Sequence, residues 1–480
     1  MKTDRAIPVA RGAVPLLGHA WALARDPMRF LASLPKDADL VGLRLGPNPL
    51  VLICDPELTH QVLADDHTFD KGGPLVALVK PLVGNGLATC PRNRHRHPRR
   101  LLQPMFRPDR LDGYVTSMTA AIDAVLSDWR DGHELDIPAE LRRLSIRVAV
   151  EALFSGALPP AVADRTADDF TAVLVGFAQR LARPPFFDMF PTPTNRHYRA
   201  ALKHVRQTVR DTVESRRAGG TDEDDVLARL LTMEAGGEPV LDDSAILDHA
   251  MTFLIAPTAT IASVLGWALH MLAEHPDMQD RLRAESDAVL AGKPADRSQL
   301  AKLELTRRVV TESLRMYPSL WFAPLRIVTT DTYLGRHHLP AGTVLAFSPW
   351  LVHHRSDLHE NPERFDPDRW KDTELPAPSR NAFIPFGSGA RQCIGMDFAF
   401  TEMVLALATI TSRWRLEPVA GSPLPTRASV NLTARGLRLR TILRGPSDEN
   451  RYLRYVQRAD PTVRASARIR RPTRRKHWLI

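Results

Sequence analysis

The residues best able to do chemistry in this chain lie in ten consecutive positions, Phe386-Gly387-Ser388-Gly389-Ala390-Arg391-Gln392-Cys393-Ile394-Gly395. A cysteine stands there between glycines, just ahead of a run with helical periodicity from Asp397 to Thr411. At a helix N-terminus the unpaired backbone N–H groups and the dipole stabilise a thiolate, which is the state Cys393 is placed to adopt. Gly389 and Gly395 allow positive φ or close approach of the backbone to a flat ligand. Arg391 offers a fixed fork suited to a carboxylate. The bland alternative is a buried cysteine in a tight turn, which is how Cys54 and Cys90 read. A second set of groups, His95-Arg96-His97-Pro98-Arg99-Arg100, reads by itself as a solvated or nucleic-acid-binding face. Glu312 and Arg315 lie three apart in a helical run, so their charges share a face and can meet.

The elements that must position these groups are mostly helices. Between residues 110 and 320 the apolar spacing is three to four residues. One helix is long: from the cap candidates Asp242, Asp243 and Ser244 to the stop at His275-Pro276, roughly 45 Å at about 1.5 Å per residue. It is apolar almost all round, so it should cross the core. Phe253, Ala256 and Thr260 fall on one of its faces, and Pro257 should kink it. Pro98 marks either a helix start or a kink, because inside a helix it costs about 3 kcal/mol. Strand signals sit at Leu40 to Leu45, Pro49 to Cys54, Arg326–Leu334, Thr343–Phe347 and Gly436–Leu443. The expected fold is mainly α with small β-sheets (α+β), the sheets contributed by both ends.

Composition narrows the class. The chain has 480 residues, 44% hydrophobic and 25% charged, as in an ordinary globular protein. Three scattered cysteines exclude a disulfide scaffold and a CxxC zinc module. No apolar run is expected to reach the roughly 18–20 residues of a membrane span, and the first residues lack a signal-peptide core, so a cytoplasmic location is expected. Of the net charge of +9, residues 445–480 carry +7, from ten Arg/Lys against three Asp/Glu. Residues 1–444 are therefore expected to be one catalytic domain, and 445–480 a basic, disordered tail.

The spacing F-x-x-G-x-R-x-C-x-G resembles the haem-ligand signature of the cytochrome P-450 family, with every fixed position filled. Three further segments resemble that family: Glu312-Ser313-Leu314-Arg315, then Asn361-Pro362-Glu363-Arg364-Phe365, and the His95–Arg99 pair. The resemblance covers Val14 to Arg444 and is nearest to soluble actinomycete members that oxidise terpene hydrocarbons. It implies the fold, with the long helix over haem b, and Cys393 as the proximal thiolate ligand of the iron. Phe386 would pack near the sulfur. Arg391, His95, Arg99 and Arg326 would meet the haem propionates. Arg364 would join Glu312 and Arg315 in a buried triad behind the haem. Thr260 falls on the family's distal threonine, while the acid before it is Ala259 and the glycine is Pro257, so Thr258 or water would have to substitute in proton delivery. Phe253, Ala256, Leu320 and Phe322, with Leu75, Val76, Val79, Leu82 and Ala323, are the expected apolar lining.

The function so implied is a monooxygenase inserting one atom of dioxygen into a small apolar substrate, possibly a terpenoid in view of the sub-family likeness. No fused reductase is expected, so an external ferredoxin or flavodoxin with its reductase would supply electrons, and the basic Arg92–Arg100 stretch would suit such acidic donors. With Ala259 replacing the acid, a peroxide-driven or isomerising enzyme and a non-catalytic haem protein stay open. Residues 250–270 hold no Arg or Lys, which argues against a fatty-acid peroxygenase. Nucleic-acid binding has no recognition motif behind it.

Overall fold

A computed structural model describes residues 5–444, apart from 36, 183–184, 220–223, 233, 236–237, 240, 292–294, 372–380 and 420–430. The tail expectation for 445–480 lies outside the described residues. The long helix is present as Asp243–Glu274, capped where Asp242 accepts the Ala245 N–H at 2.7 Å. By length and composition it could cross a membrane, with mean hydropathy 1.6, contrary to the expectation that no run would qualify. Its surroundings explain the composition: 83% of that apolar window is buried inside the protein. The helix Ile137–Leu153 packs against it most extensively. Tyr317, at the end of the helix Glu304–Met316, stacks on Trp267 at 3.9 Å. Pro257 lacks the N–H that Phe253 would accept, yet the helix continues through it.

Both ends of the chain build the sheets, as expected. Leu40–Leu45 and Asn48–Ile53 pair antiparallel, Leu43 opposite Leu50. The second of these runs parallel to Val344–Phe347, which pairs with Ala323–Val328, and Phe69–Lys71 closes the five-stranded sheet. The strand expected over 326–334 is two elements, Ala323–Val328 and Thr332–Leu334, the latter in a separate hairpin with His337–Leu339. A three-stranded sheet of Glu134–Asp136, Arg438–Leu443 and Trp414–Pro418 buttresses the far side.

Of the two alternatives at Pro98, a helix start and a kink, the first is excluded. The helix does not start there: it runs Arg92–Leu102, with Pro91 as N-cap and Pro98 buried within it. Burial of Pro98 and His95 on the inner side offsets the lost backbone bond.

Candidate active site

The cysteine loop and the central helix face each other across a cavity of about 320 Å³. The loop is held by its own backbone: Cys393 N–H donates to Phe386 C=O at 3.0 Å and Gln392 N–H to Gly389 C=O at 3.0 Å. Gly389 has φ 70°, and a Cβ there would overlap the Leu63 carbonyl, so only glycine fits. Gly395 has ordinary φ and would tolerate a Cβ against protein atoms, its nearest neighbour being Phe106 at 3.8 Å; it borders the cavity instead. The helix Met396–Arg413 starts immediately after it. Cys393 is exposed, its sulfur opening on the cavity; the protein packed around the loop still pushes its thiol up, against the Gly395 N–H and the Arg99 guanidinium, which favour the thiolate.

One wall of this cavity is cationic. His95, Arg99, Arg326, Arg391 and Lys71 all line it, with Phe386 and Cys393. The sheet register sets Lys71 directly opposite Arg326, a like-charge pair that opposes folding unless an anion lies between. Arg326 is buried, and its Nε and Nη1 have no hydrogen-bond partner among the described residues. The same holds for His95 Nδ1. Burial, then Arg391, lowers Arg326 to about 10. Burial, then Arg326 and Arg391, lowers Lys71 to about 7. Burial, with Arg391 and Arg99, lowers His95 to about 3. Arg99 donates to Gln103 Oε1 at 2.7 Å and to the Gln392 carbonyl at 2.6 Å, bracing the cysteine loop.

Arg391 departs from expectation. Its Nη2 lies 2.9 Å from Asp70, its Nε 3.6 Å from buried Asp66, and its Nη1 donates to the Cys90 carbonyl at 2.9 Å. These acids already neutralise it, which leaves the unpartnered Arg326 and Lys71 as the stronger claim on an anionic ligand. Lys71 escaped sequence reasoning, because a lysine in a three-residue strand carries no motif. Its one signal was alternation, which puts it on the same face as buried Phe69.

The buried charge cluster holds one substitution of partner. Glu312 and Arg315 are fully buried and doubly bonded, 2.9 Å in each contact. The third member is Arg369, not Arg364: Arg369 Nε meets Glu312 Oε1 at 3.0 Å, and Trp370 Nε1 meets Oε2 at 2.8 Å. Arg364 is exposed and contributes only its carbonyl, to Arg315 and Arg369. The reason is the turn: Asp366 caps a short helix Pro367–Trp370 that carries Arg369 inward. Burial pushes the Glu312 carboxyl up, but Arg315, Arg369 and the Asp366 N–H together hold it below its ordinary value.

On the opposite wall the central helix presents Thr252, Phe253, Ala256, Pro257, Thr260 and Ile261. The shared face expected for Phe253, Ala256 and Thr260 is therefore real, and Leu320 joins them. Thr260 donates to the Ala256 carbonyl at 2.7 Å. Thr258 is corrected: it is fully buried on another face, bonded to Leu254 C=O at 3.1 Å, two residues (about 200° of helix) from Thr260. Phe322 is also corrected, since it packs into the core beside Trp321 and is not on the wall. Leu75, Val76, Val79, Leu82 and Ala323 are likewise off the wall. Ala259 faces a second cavity, bordered by Arg142, Thr171, Ser263 and Asn431.

A flat dianion with an iron at its centre fits this geometry. Its acidic edge would meet the orphaned Arg326 and His95, and its iron would meet the Cys393 sulfur. A fold and site of this kind define the haem-thiolate oxygenases. Comparison with known proteins agrees: the family description Cytochrome P450 matches residues 8–437. Pentalenene oxygenase of Streptomyces avermitilis is 41% identical over 438 residues, covering 89% of this chain and 97% of that protein. Cyclooctat-9-en-7-ol 5-monooxygenase of Streptomyces melanosporofaciens is 41% identical over 418 residues, covering 86% and 90%. Cyclooctatin synthase of the same organism is 38% identical, covering 90% and 94%. The chain belongs to the cytochrome P450 family, and is a haem b monooxygenase.

Proposed function

We propose that the substrate is a terpenoid and that the cavity residues divide the work as follows. The carrying observation is a single cavity with Cys393 and unpaired cations on one wall and an apolar helix face with one hydroxyl on the other. The relatives named for terpene oxidation support the substrate class.

Cys393 would bind the haem iron through its thiolate, and Arg326, Lys71, His95 and Arg99 would hold the two propionates. When bound, haem b supplies the iron at which dioxygen is reduced and one oxygen atom passes to substrate. The chain's own residues do the rest. Phe253, Ala256, Ile261 and Leu320 present apolar surface, so a hydrocarbon binds by displacing water and a charged substrate is disfavoured. The Thr260 hydroxyl donates its one proton to Ala256 C=O and so presents acceptor lone pairs on that wall. An acid at 259 would point into the second cavity, so water at Thr260 Oγ1 is the proton carrier.

Arg94, Arg96, His97 and Arg100 form the exposed outer face of the helix whose inner face carries His95 and Arg99. An acidic ferredoxin or flavodoxin docking there would stand behind the haem edge. The expected cellular place is the cytoplasm.

The test is a spectral titration of the haem-loaded protein with terpene hydrocarbons, fatty acids and macrolides. Terpenes should shift the haem absorption at the lowest concentration. A tighter response to fatty acids would overturn the substrate class.

A further inference from the structure

Arg391 lines the cavity two residues before Cys393, yet both hydrogen bonds of its guanidinium run to other elements. Nη1 donates to the Cys90 carbonyl and Nη2 to Asp70 Oδ1, each at 2.9 Å. Asp70 belongs to the strand Phe69–Lys71, and its carboxylate also accepts the Arg92 N–H, at 2.9 Å through Oδ2 and 3.1 Å through Oδ1. Arg92 opens the helix Arg92–Leu102, whose N-cap, Pro91, has no side chain able to cap it. Asp70 supplies the missing acceptor from the strand, and its negative charge suits that helix end. Cys90 lies just ahead of the same helix, so Arg391 reaches the helix start by two routes.

Asp66 adds a weaker hold. It lies 3.6 Å from Arg391 Nε, too far for a hydrogen bond, and accepts from Arg92 Nε at 3.3 Å. Arg99 ties the same helix to the same loop about two turns further on, through the Gln392 carbonyl, and makes no contact with either acid. The wall thus carries Arg99, Arg326, Arg391 and Lys71, of which Arg391 alone is ion-paired to acids of the chain.

We propose that Asp70 is a positioning residue that withholds Arg391 from the haem edge and commits it to fastening the cysteine loop to the start of the helix Arg92–Leu102. This rests on the propionate set given above. A carboxylate is suited to the task because it accepts from a backbone N–H and a guanidinium at once. The bond is part of the fold before haem arrives, so a propionate has to compete with it for Arg391. With that charge answered, the wall is less positive by one. It then holds the propionates less tightly, and it favours the added electron less when haem is reduced. Removing Asp70's charge therefore has two opposite consequences: a looser cysteine loop without haem, and a firmer grip on haem once bound.

The test compares Asp70→Asn with wild type in the full-length, haem-loaded protein. Asn keeps the size and an acceptor for the Arg92 N–H but has no charge to hold Arg391. Haem should pass to a scavenging apoprotein more slowly than from wild type, by about three- to tenfold for one added charge-assisted bond. The midpoint of haem reduction should move to more positive potential. A residue that only supports the fold would speed haem loss instead. Asp66 and Asp70 also act on Arg326 through space, so the comparison is repeated in Arg391→Met, where most of both shifts should vanish. Asp66→Asn should act in the same direction with smaller size, and serves if Asp70→Asn does not fold. In the haem-free protein, Asp70→Ala should speed amide exchange at 92–95 and 386–395 by about tenfold and leave Glu304–Met316 as it was. Haem loss that is unchanged or faster in Asp70→Asn, or slower by as much without Arg391, overturns the withholding. Unchanged exchange at 386–395 overturns the fastening. Failure of the propionate set is read separately, as unchanged haem loss in Arg326→Met.

Discussion

Two groups of buried charge flank the haem cavity, and they are built on opposite plans. Around Glu312 every charge has a partner: Arg315, Arg369, Trp370 and the Asp366 N–H close on one carboxylate. Around Arg326 positive charge is in excess: Asp66 and Asp70 pair with Arg391, while Lys71 stands opposite Arg326 in the sheet and two Arg326 guanidinium nitrogens are left without partners among the described residues. A satisfied cluster is scaffold, because nothing more can be added to it. An unsatisfied one costs folding energy that only an anionic ligand returns. That difference separates structural from ligand-binding residues here, although both sets bring arginines into the interior.

The comparison yields predictions of graded size. The largest effect belongs to the sulfur: Cys393→Ser should abolish the red-shifted carbon monoxide band of the reduced, thiolate-ligated protein, whereas Cys54→Ser and Cys90→Ser should keep it. Next is the satisfied cluster. Glu312→Gln or Arg369→Met should lower the stability read from urea unfolding by about 3–5 kcal/mol, since a buried charge is stranded. Arg364→Met should change it far less, its side chain being exposed. Equal losses at 364 and 369 would break the assignment of the third partner.

Arg326→Met should behave in the reverse sense. Haem should leave for a scavenging apoprotein faster, by roughly ten- to a hundredfold for one or two charge-assisted bonds. The haem-free protein should be no less stable than wild type. A large loss of haem-free stability would mean that Arg326 is scaffold after all. On the distal wall, Thr260→Ala should divert several-fold more reducing equivalents into hydrogen peroxide per product formed. Thr258→Val should leave that ratio unchanged, because its side chain does not reach the cavity.

The effect confined to acid pH concerns a buried group with no charged neighbour. Burial alone lowers His249 from 6.5 to about 4. Between those values the unfolded chain binds a proton that the folded chain refuses, so stability falls as pH falls through that window, by up to about 1.4 kcal/mol per unit. His249→Leu should flatten the acid limb of a stability–pH curve by that one proton and leave the neutral region flat. An unaltered limb would show that His249 is already protonated or solvated.

Much of this protein was legible in its residues alone. Local chemistry determined the cysteine loop, since Gly389 and Cys393 act within ten positions, and periodicity determined the long apolar helix and the face shared by Phe253, Ala256 and Thr260. The membrane-span expectation failed on that same helix for a related reason: composition cannot tell a lipid surround from a protein one. What only the tertiary structure decided were choices between like residues. Arg369 displaced Arg364 because a capped turn rotates one of them inward. Thr260 displaced Thr258 because about 200° of helix separates them. Lys71 joined the cationic wall through a strand register set between residues more than 250 positions apart. Charge and polarity are properties of a residue, but whether a charge is answered depends on neighbours that the chain brings together only by folding.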